Sequence, residues 1–420
     1  MEERKNLQLA RKYDEEDELK LFREKFHIPQ INGKDSVYFT GNSLGLQPKS
    51  TKDYVLQELR DWANLGVEGH LKADNPWLYY HHMFSEPVSK IVGAMSKEVV
   101  VMNTLTVNLH LMMVSFYKPT KKRYKIMVEG HLFPSDQYAV ESQLKFHGFD
   151  PKDGIIELMP GAGEYNLKLE DILDEIERHK DDLALILIGG VNYYTGQLFN
   201  MQEITYAGHK AGAIVGFDLA HAAGNVVMDL HDWDVDFAVW CSYKYLNSGP
   251  GGPGGIFVHE RFGKDQDIPR FAGWWGYNED TRFQMKKGFI PMEGAAGWQL
   301  SNAQILAMSA HKAAIDIFDE VGIDELRRKS EKLTGFLESL LVNAIEQQEI
   351  DVKIITPSDP LQRGCQLSLI ASKNGKDLHK KLTDGGVIAD WREPDVIRIA
   401  PVPLYNTFED VYKFVELLKS

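Results

Sequence analysis

Two side chains of opposite charge follow apolar runs near the middle of the chain. Asp218 comes directly after residues 213–217, and Lys244 follows residues 237–240 by a few positions. If both runs are neighbouring strands of a parallel sheet, the two side chains meet at one edge of it. A lysine there can form a Schiff base with an aldehyde cofactor, and a carboxylate can keep a pyridine nitrogen protonated so that the ring withdraws electrons. The pair therefore predicts pyridoxal-phosphate chemistry, with an ordinary surface ion pair as the alternative.

Two other groups of residues could suggest ligands of a different kind. The glycine-rich residues 249–255 follow Lys244, but a nucleotide loop needs its lysine after the glycines and a Ser or Thr next to it. His81, His82 and the acid-rich residues 229–236 do not have the spacing of metal ligands. We therefore expect neither a nucleotide loop nor a bound metal.

The elements that would position Asp218 and Lys244 belong to an α/β fold. Short apolar runs alternate with amphipathic stretches between about residues 95 and 260, which is typical of a mostly parallel sheet covered by helices. Strands buried on both faces are continuously apolar, as these runs are. The pattern predicts seven strands, at residues 99–102, 125–128, 155–158, 183–188, 213–217, 237–240 and 255–258.

A second, smaller α/β domain is predicted at the C-terminus. Helical patterns cover residues 303–318 and 323–345, and strand-like runs follow at residues 352–355, 366–370 and 396–399. The N-terminal part is mainly helical, with residues 50–64 as its strongest amphipathic pattern. We expect three regions: an N-terminal segment that joins the small domain, a large cofactor-binding domain and the small C-terminal domain, at residues 1–70, 71–310 and 311–420.

Composition excludes several classes of protein. The 420 residues are 43% hydrophobic and 26% charged, as in folded globular proteins, and the net charge of −14 does not favour binding to nucleic acid. The longest apolar run, residues 183–188, is too short to cross a membrane. Two cysteines, Cys241 and Cys365, are too few for a disulfide framework, and the charged N-terminus does not resemble a signal peptide. We expect a cytoplasmic protein that acts on a small molecule.

The residues around the Asp and the Lys closely resemble those of kynureninase. The two central motifs are Phe217-Asp218-Leu219-Ala220-His221 and Cys241-Ser242-Tyr243-Lys244-Tyr245-Leu246-Asn247. Further matches occur in order along nearly the whole chain: residues 41–46, 66–70, 105–110, 133–136, 194–197, 273–274 and 398–405. So many ordered matches also separate this family from other enzymes of the same fold.

The resemblance implies a fold-type-I, pyridoxal-phosphate-dependent transferase-like fold and a hydrolytic enzyme. Its reaction would cleave the Cβ–Cγ bond of L-kynurenine or 3-hydroxy-L-kynurenine, giving L-alanine and anthranilate or 3-hydroxyanthranilate, in tryptophan catabolism and NAD precursor synthesis. Lys244, Asp218 and Tyr243 would be catalytic. The other residues implied to contact the cofactor are Leu105, Thr106, Phe133, Pro134, Ser135, Asp136, Gly189 and His221.

The role of Thr106 also has a physical basis in the sequence, whereas those of Phe133 and Tyr243 are what the resemblance implies. Thr106 precedes an apolar helical run and is expected to cap a helix whose amino end attracts the cofactor phosphate. Phe133 would stack on the pyridine ring, and Tyr243 would reach the phosphate and donate a proton. Gly189 departs from the family pattern, because some relatives carry a hydroxyl side chain there, so one cofactor contact is in doubt.

Other implied contacts come from the partner subunit or from the substrate pocket. Trp274 and Asn302 would complete the site of the other subunit, which implies a homodimer with shared active sites. Arg398 would bind the substrate carboxylate, because its planar fork suits bidentate pairing. Further substrate-binding residues would be Ser43, His70, Ser301 and Asn302; the last three resemble the set that recognises the ring hydroxyl of 3-hydroxykynurenine.

Two alternatives remain at this point. A cysteine desulfurase shares the fold and uses a cysteine in its smaller domain, which makes Cys365 a candidate. However, Cys365 lies in a strand-like run, and desulfurases carry His at the position of Tyr243. A non-catalytic binding protein on the same fold is the second alternative, although the retained Asp218, Lys244 and Arg398 argue against it.

Overall fold

The computed structural model describes residues 2–371 and 373–420. The strands are β1 Gln30–Ile31, β2 Lys34–Asp35, β3 Val37–Tyr38, β4 Val99–Met102, β5 Lys125–Glu129, β6 Ile155–Leu158, β7 Leu183–Gly189, β8 Ile214–Asp218, β9 Phe237–Cys241, β10 Gly254–Val258, β11 Val352–Ile354, β12 Leu367–Ala371, β13 Val387–Ile388, β14 Asp390–Arg392 and β15 Val396–Ile399. The helices are α1 Glu2–Glu16, α2 Thr51–Leu65, α3 Gly69–Lys72, α4 His82–Val92, α5 Leu105–Phe116, α6 Pro134–Phe146, α7 Pro151–Gly154, α8 Leu169–Arg178, α9 Met201–Lys210, α10 Glu260–Gly263, α11 Ile305–Val321, α12 Ile323–Glu346, α13 Gly375–Asp384 and α14 Phe408–Lys419.

The large sheet has seven strands in the order β4-β10-β9-β8-β7-β5-β6. The strands from β9 to β6 run parallel, and β10 is antiparallel to both of its neighbours. All seven predicted strands are present, each with ends within one residue of the prediction. The predicted α/β fold with a mostly parallel seven-stranded sheet is therefore confirmed.

The sequence of β7 explains why this sheet is buried on both faces. Leu185 and Leu187 belong to the apolar core on one face, whereas Ile186 and Ile188 belong to the core on the other. Side chains alternate between faces along a strand, so a continuously apolar strand needs cover on both sides. Helices α5 and α6 pack together over one face, and α8 and α9 pack together over the other.

The smaller sheet, near the C-terminus, is antiparallel, with the order β11-β12-β15-β14. Its core is shared with α12, α14 and the N-terminal segment. Strand β3 of that segment pairs in parallel with β13, and the Asp14 carboxylate accepts hydrogen bonds from the backbone N–H groups of Phe408 and Glu409 at the start of α14, at 2.7 and 2.9 Å. The N-terminal segment therefore packs against the last elements of the chain. The boundaries at residues 70 and 310 stay a prediction.

Helix α2 of the N-terminal segment instead packs on α11, where the Tyr54 hydroxyl donates a 2.6 Å hydrogen bond to Asp316. Within the described residues, no helix combines the length and the apolar character needed to cross a membrane.

Candidate active site

A cavity of about 190 Å³ lies at the carboxyl edge of the large sheet. Parallel strands bring their carboxyl ends to one edge, so the terminal residues of β5, β7, β8 and β9 all line it. The cavity wall contains ten of the predicted site residues: Leu105, Thr106, Phe133, Ser135, Asp136, Gly189, Asp218, His221, Tyr243 and Lys244.

Lys244 lies at the centre of this arrangement. Its Nζ is 2.9 Å from Nε2 of His221 and 5.8 Å from the centroid of the Phe133 ring. His221 is buried, and burial, followed by the nearby charge of Lys244, holds its pKa well below the ordinary value. Neutral His221 therefore accepts a hydrogen bond from the lysine. Its Nδ1 is buried and has no hydrogen-bond partner among the described residues.

Three buried carboxyl groups line the cavity near the lysine. Asp218 ends β8, and its Oδ1 accepts a 2.7 Å hydrogen bond from the N–H of Ala220. Asp136 in α6 shares a hydrogen bond with Asp218. Burial raises the pKa of both groups, and repulsion by Asp218 raises that of Asp136 further. Asp136 therefore holds the proton of the pair, and Asp218 carries the charge that faces Lys244.

Glu129 is the third carboxyl group, and sequence analysis missed it. It ends β5, and its two oxygens accept hydrogen bonds from the N–H of Gly189 at 2.7 Å and from Asn192 at 3.1 Å. Burial raises its pKa to about 7, although the two hydrogen bonds act to lower it. A Cβ at Gly189 would lie 3.2 Å from both oxygens, so the glycine that departs from the family pattern adjoins this carboxylate.

The amino end of α5 faces the same cavity and presents backbone N–H groups to it. The helix begins at Leu105, and Thr104 lies at the capping position; the expectation that Thr106 caps the helix is therefore wrong. Thr106 lies in the first turn, where its hydroxyl is 2.9 Å from that of Ser135. A Cβ at Gly254 would come within 3.1 Å of the Leu105 N, so glycine permits the close approach of β10. The helix end and two hydroxyls suit a phosphate.

Tyr243 and Cys241 complete the wall beside Lys244. The Tyr243 hydroxyl forms a hydrogen bond with the Cys241 thiol, and burial followed by this neighbour raises the pKa of the tyrosine. Tyr243 is therefore protonated at neutral pH. Together the wall offers buried carboxylates, a lysine and a helix amino end that suits a phosphate. These are the groups that a phosphorylated pyridine aldehyde needs in its binding site.

Arg398 lies on β15, next to the cavity but outside its wall. One of its terminal nitrogens donates to the backbone oxygen of Tyr193 at 2.6 Å, and the other pairs with Asp390. Ser43, also predicted at the site, donates a 2.7 Å hydrogen bond to the same Asp390 carboxylate. Tyr193 itself lines the cavity. Arg398 and Ser43, which are predicted to bind substrate, are therefore linked through hydrogen bonds to the wall of the cavity predicted to bind the cofactor.

The remaining predicted residues do not line the cavity of their own chain. Ser301 and Asn302 are exposed, His70 is half-buried, and Trp274 keeps 46% of its surface accessible. Pro134 is the first residue of α6 and directly follows Phe133 in the sequence. The structure thus collects the cofactor-side residues in one place, and Trp274, Ser301 and Asn302 lie on the surface of the chain.

Comparison with known proteins identifies the family. The model of the kynureninase C-terminal domain matches residues 326–418. Kynureninase from Flavobacterium psychrophilum is 56% identical to this chain over 414 residues, which cover 99% of this chain and 97% of the relative. The chain belongs to the kynureninase family.

Solved structures show that this kynureninase family member shares its fold with other enzymes. Apo cysteine desulfurase from Thermococcus onnurineus has a TM-score of 0.74 at 17% identity and covers 91% of this chain and 94% of its own. C-DES with glycine covalently linked to its PLP cofactor has a TM-score of 0.77 at 15% identity and covers 92% and 96%. At such low identity these likenesses concern the fold alone.

The desulfurase alternative also fails on chemistry within this kynureninase family member. Cys365 is fully buried, forms a hydrogen bond with Tyr245 and is absent from the cavity wall. Burial raises the pKa of its thiol to about 12, so the reactive thiolate is scarce at neutral pH. Cys365 therefore does not have the environment of a catalytic cysteine.

Proposed function

We propose that this protein hydrolyses the side chain of L-kynurenine or 3-hydroxy-L-kynurenine with pyridoxal phosphate as cofactor. Water adds to the γ-carbonyl carbon, the Cβ–Cγ bond breaks, and the products are L-alanine and anthranilate or its 3-hydroxy form. The single observation that carries the proposal is the shared cavity of Lys244, Asp218 and Asp136 in a chain of the kynureninase family.

The proposed roles follow from the environment of each side chain. When bound, pyridoxal phosphate supplies an electron sink for negative charge at the substrate's α carbon. Lys244 would hold the cofactor covalently and, as a free amine, would move the substrate's α proton. Burial raises the pKa of Asp218, and hydrogen bonds from Asp136 and the N–H of Ala220 oppose that rise. Its carboxylate would hold the ring nitrogen protonated. Tyr243 would donate a proton as alanine is released; its raised pKa keeps the hydroxyl protonated before that step.

The phosphate of the cofactor would be held at the amino end of α5. Leu105 contributes a backbone N–H there, and the hydroxyls of Thr106 and Ser135 lie beside it. Phe133 would cover the ring, since its own ring already faces Lys244. Nδ1 of His221 is buried and has no hydrogen-bond partner in the described part of the chain, so it is available to the bound cofactor or substrate.

Arg398 is proposed to bind the α-carboxylate of the substrate. It is only 1% exposed, so its pairing is shielded from water and strong. His70, Ser301 and Asn302 are proposed to bind the aromatic ring end, with 3-hydroxykynurenine as the preferred substrate. Their polar side chains would bind a ring hydroxyl by hydrogen bonds, which favours the hydroxylated substrate.

A homodimer with shared active sites explains the exposed residues. Residues 271–290 carry large apolar side chains in contact with solvent: Phe271, Trp274, Phe283, Met285 and Ile290. An apolar cluster of this kind marks a surface that another protein covers. We propose that a second copy of the chain covers it, so that Trp274 and Asn302 enter the partner's site.

The proposed setting is the cytoplasm. Cys241 and Cys365 are free and buried, which suits a reducing compartment. A net charge of −14 favours a small-molecule substrate over nucleic acid as the partner.

A direct assay tests the function and the substrate preference together. The purified protein with pyridoxal phosphate is incubated with L-kynurenine and, separately, with 3-hydroxy-L-kynurenine. The fluorescence of the released anthranilates and the formation of L-alanine are followed. We expect turnover of both substrates, with the larger kcat/KM for the hydroxylated one. Sulfur release from L-cysteine without turnover of either kynurenine would overturn the proposal.

A further inference from the structure

Three charged side chains share one face of the β14–β15 pair. Asp390 lies directly opposite Arg398 in the antiparallel register. Arg392 is two residues beyond Asp390 on β14, and alternate residues of a strand point to the same face. This face therefore carries two arginines and one carboxylate side by side.

The hydrogen bonds of these side chains converge on one atom. Oδ2 of Asp390 accepts from Ser43 at 2.7 Å and from Arg392 at 3.2 Å, and it also pairs with Arg398. Ser43 is neutral, so two positive charges and one negative charge meet here. The group carries one net positive charge, to which one further carboxylate is the natural complement.

Both arginines retain capacity for another anion. Arg398 is fully buried, and Arg392 keeps 38% of its side chain exposed. The Nε of each is buried without a hydrogen-bond partner among the described residues. A buried guanidinium needs a counter-charge at all times, and Asp390 supplies it before a ligand arrives.

The charge of this group acts on the cavity. His221 lines the cavity wall, and the arginines at 398 and 392 both help to lower its pKa, after burial and Lys244. Tyr193, another wall residue, accepts a hydrogen bond from Arg398 and has its pKa lowered by both arginines against the larger effect of burial. A ligand in the cavity therefore experiences the net charge of the group.

We propose that Asp390 and Arg392 set the charge around Arg398 to a single positive unit and thereby select amino acids with one carboxylate over those with two. The inference rests on the proposed function, in which Arg398 binds the α-carboxylate. Asp390 is on this view a positioning and specificity-determining residue, because it orients Arg398 and cancels one of the two positive charges.

Substitution can change this net charge in steps. Asp390→Asn raises it to two, Arg392→Gln lowers it to zero, and the double variant restores one. Asn keeps an oxygen that accepts from Ser43, and Arg392 is partly exposed, which limits the damage to folding. A change of one unit near a second carboxylate corresponds to roughly a tenfold change in affinity.

The experiment measures binding of L-alanine and L-aspartate to the holoenzyme from the change in cofactor absorbance. The readout is the ratio of the two dissociation constants. We expect Asp390→Asn to shift the ratio roughly tenfold towards L-aspartate, and Arg392→Gln to shift it roughly tenfold the other way. The double variant should return to within about threefold of the wild-type ratio.

Glu393→Gln is the matched control, because Glu393 is exposed, pairs with Lys376 and changes the charge of the same β-hairpin by one unit. It should leave the ratio unchanged. Equal shifts in Glu393→Gln and Asp390→Asn, or a double variant whose ratio stays at either single value, would overturn the proposal. A purely structural role of Asp390 weakens both ligands together and leaves the ratio at the wild-type value. The binding ratio is measurable without turnover, so its outcome is separate from that of the kynurenine assay.

Discussion

Lys244 and His221 are in direct contact, with the lysine Nζ 2.9 Å from the histidine Nε2. Burial keeps His221 neutral, so the imidazole accepts the hydrogen bond and adds no second positive charge to the cavity. Burial raises the pKa of Asp218, and the charge of Lys244 is one of the effects that oppose this rise. The lysine thus donates to a neutral acceptor and interacts electrostatically with a carboxylate.

Replacing this lysine should remove the covalent link to the cofactor. We expect Lys244→Ala to lose the absorbance of covalently held pyridoxal phosphate and to lower kcat by about 10²-fold to 10⁴-fold, because the variant lacks the amine proposed to move the α proton. Absorbance spectra and the anthranilate assay measure the two effects. Lys122→Ala, at an exposed surface position, is the control. An unchanged spectrum in Lys244→Ala would remove Lys244 from its proposed role.

Glu129 should give the protein a pH-dependent stability. Its pKa in the fold is about 7, raised by burial from 4.5, so the folded state binds the proton more tightly than the unfolded state. The contribution of Glu129 to the free energy of unfolding is fully present below pH about 4.5. It is lost as pH rises through 7, a change of about 3 kcal/mol.

Gln does not titrate, so Glu129→Gln does not lose this stability as the pH rises. The melting temperature of the variant minus that of the wild type should therefore increase by roughly 3 °C between pH 4.5 and pH 8. Thermal unfolding at several pH values measures this difference. Glu157→Gln, on the neighbouring strand β6 and exposed, should show the wild-type pH dependence. If the difference in melting temperature between wild type and Glu129→Gln is the same at every pH, the pKa of Glu129 is not raised.

Arg398 should affect substrate binding more than turnover. Arg398→Lys keeps the charge but loses the planar fork, so we expect KM for kynurenine to rise by roughly 30-fold or more and kcat to fall less. Steady-state kinetics separate the two constants. Arg178→Lys, on the exposed face of α8, should leave both unchanged. A fall in kcat at constant KM would place Arg398 outside the carboxylate site.

Shared active sites predict complementation between two defective chains. Lys244→Ala and Trp274→Ala should each be impaired as homodimers, because each dimer then carries two defective sites. A heterodimer has one site with both defects and one site with neither, so random mixing should restore about a quarter of the wild-type activity. The mixture is unfolded, refolded and assayed for anthranilate. Activity equal to the average of the two separate variants would exclude shared sites.

The large sheet was predictable because each strand is an uninterrupted apolar run with polar residues at its ends. The same rule could have found Glu129, which follows the run 125–128 as Asp218 follows the run 213–217. No second residue in the sequence pointed to it, since its partners are a backbone N–H and Asn192 on a distant loop. The start of α5 was misplaced because Thr104 and Thr106 both suit a helix start.

Asp390 could not have been found from spacing. Its importance comes from lying opposite Arg398, and that depends on the register of β14 against β15 and on Ser43, which is 347 residues away in sequence. The surface residues Trp274 and Asn302 pose a different problem, since a role in another subunit leaves no trace in the contacts of one chain. Register and assembly are properties of the folded molecule that local patterns do not encode.

The pairing of the first residues with the last ones also constrains how the chain is made. Asp14 binds the start of α14, 394 residues later, and β3 joins β13. A ribosome releases the N-terminal segment long before α14 exists, so Asp14 and β3 cannot make these two contacts until translation is nearly complete. Until then β3 is an unpaired strand, which raises the risk of aggregation during synthesis.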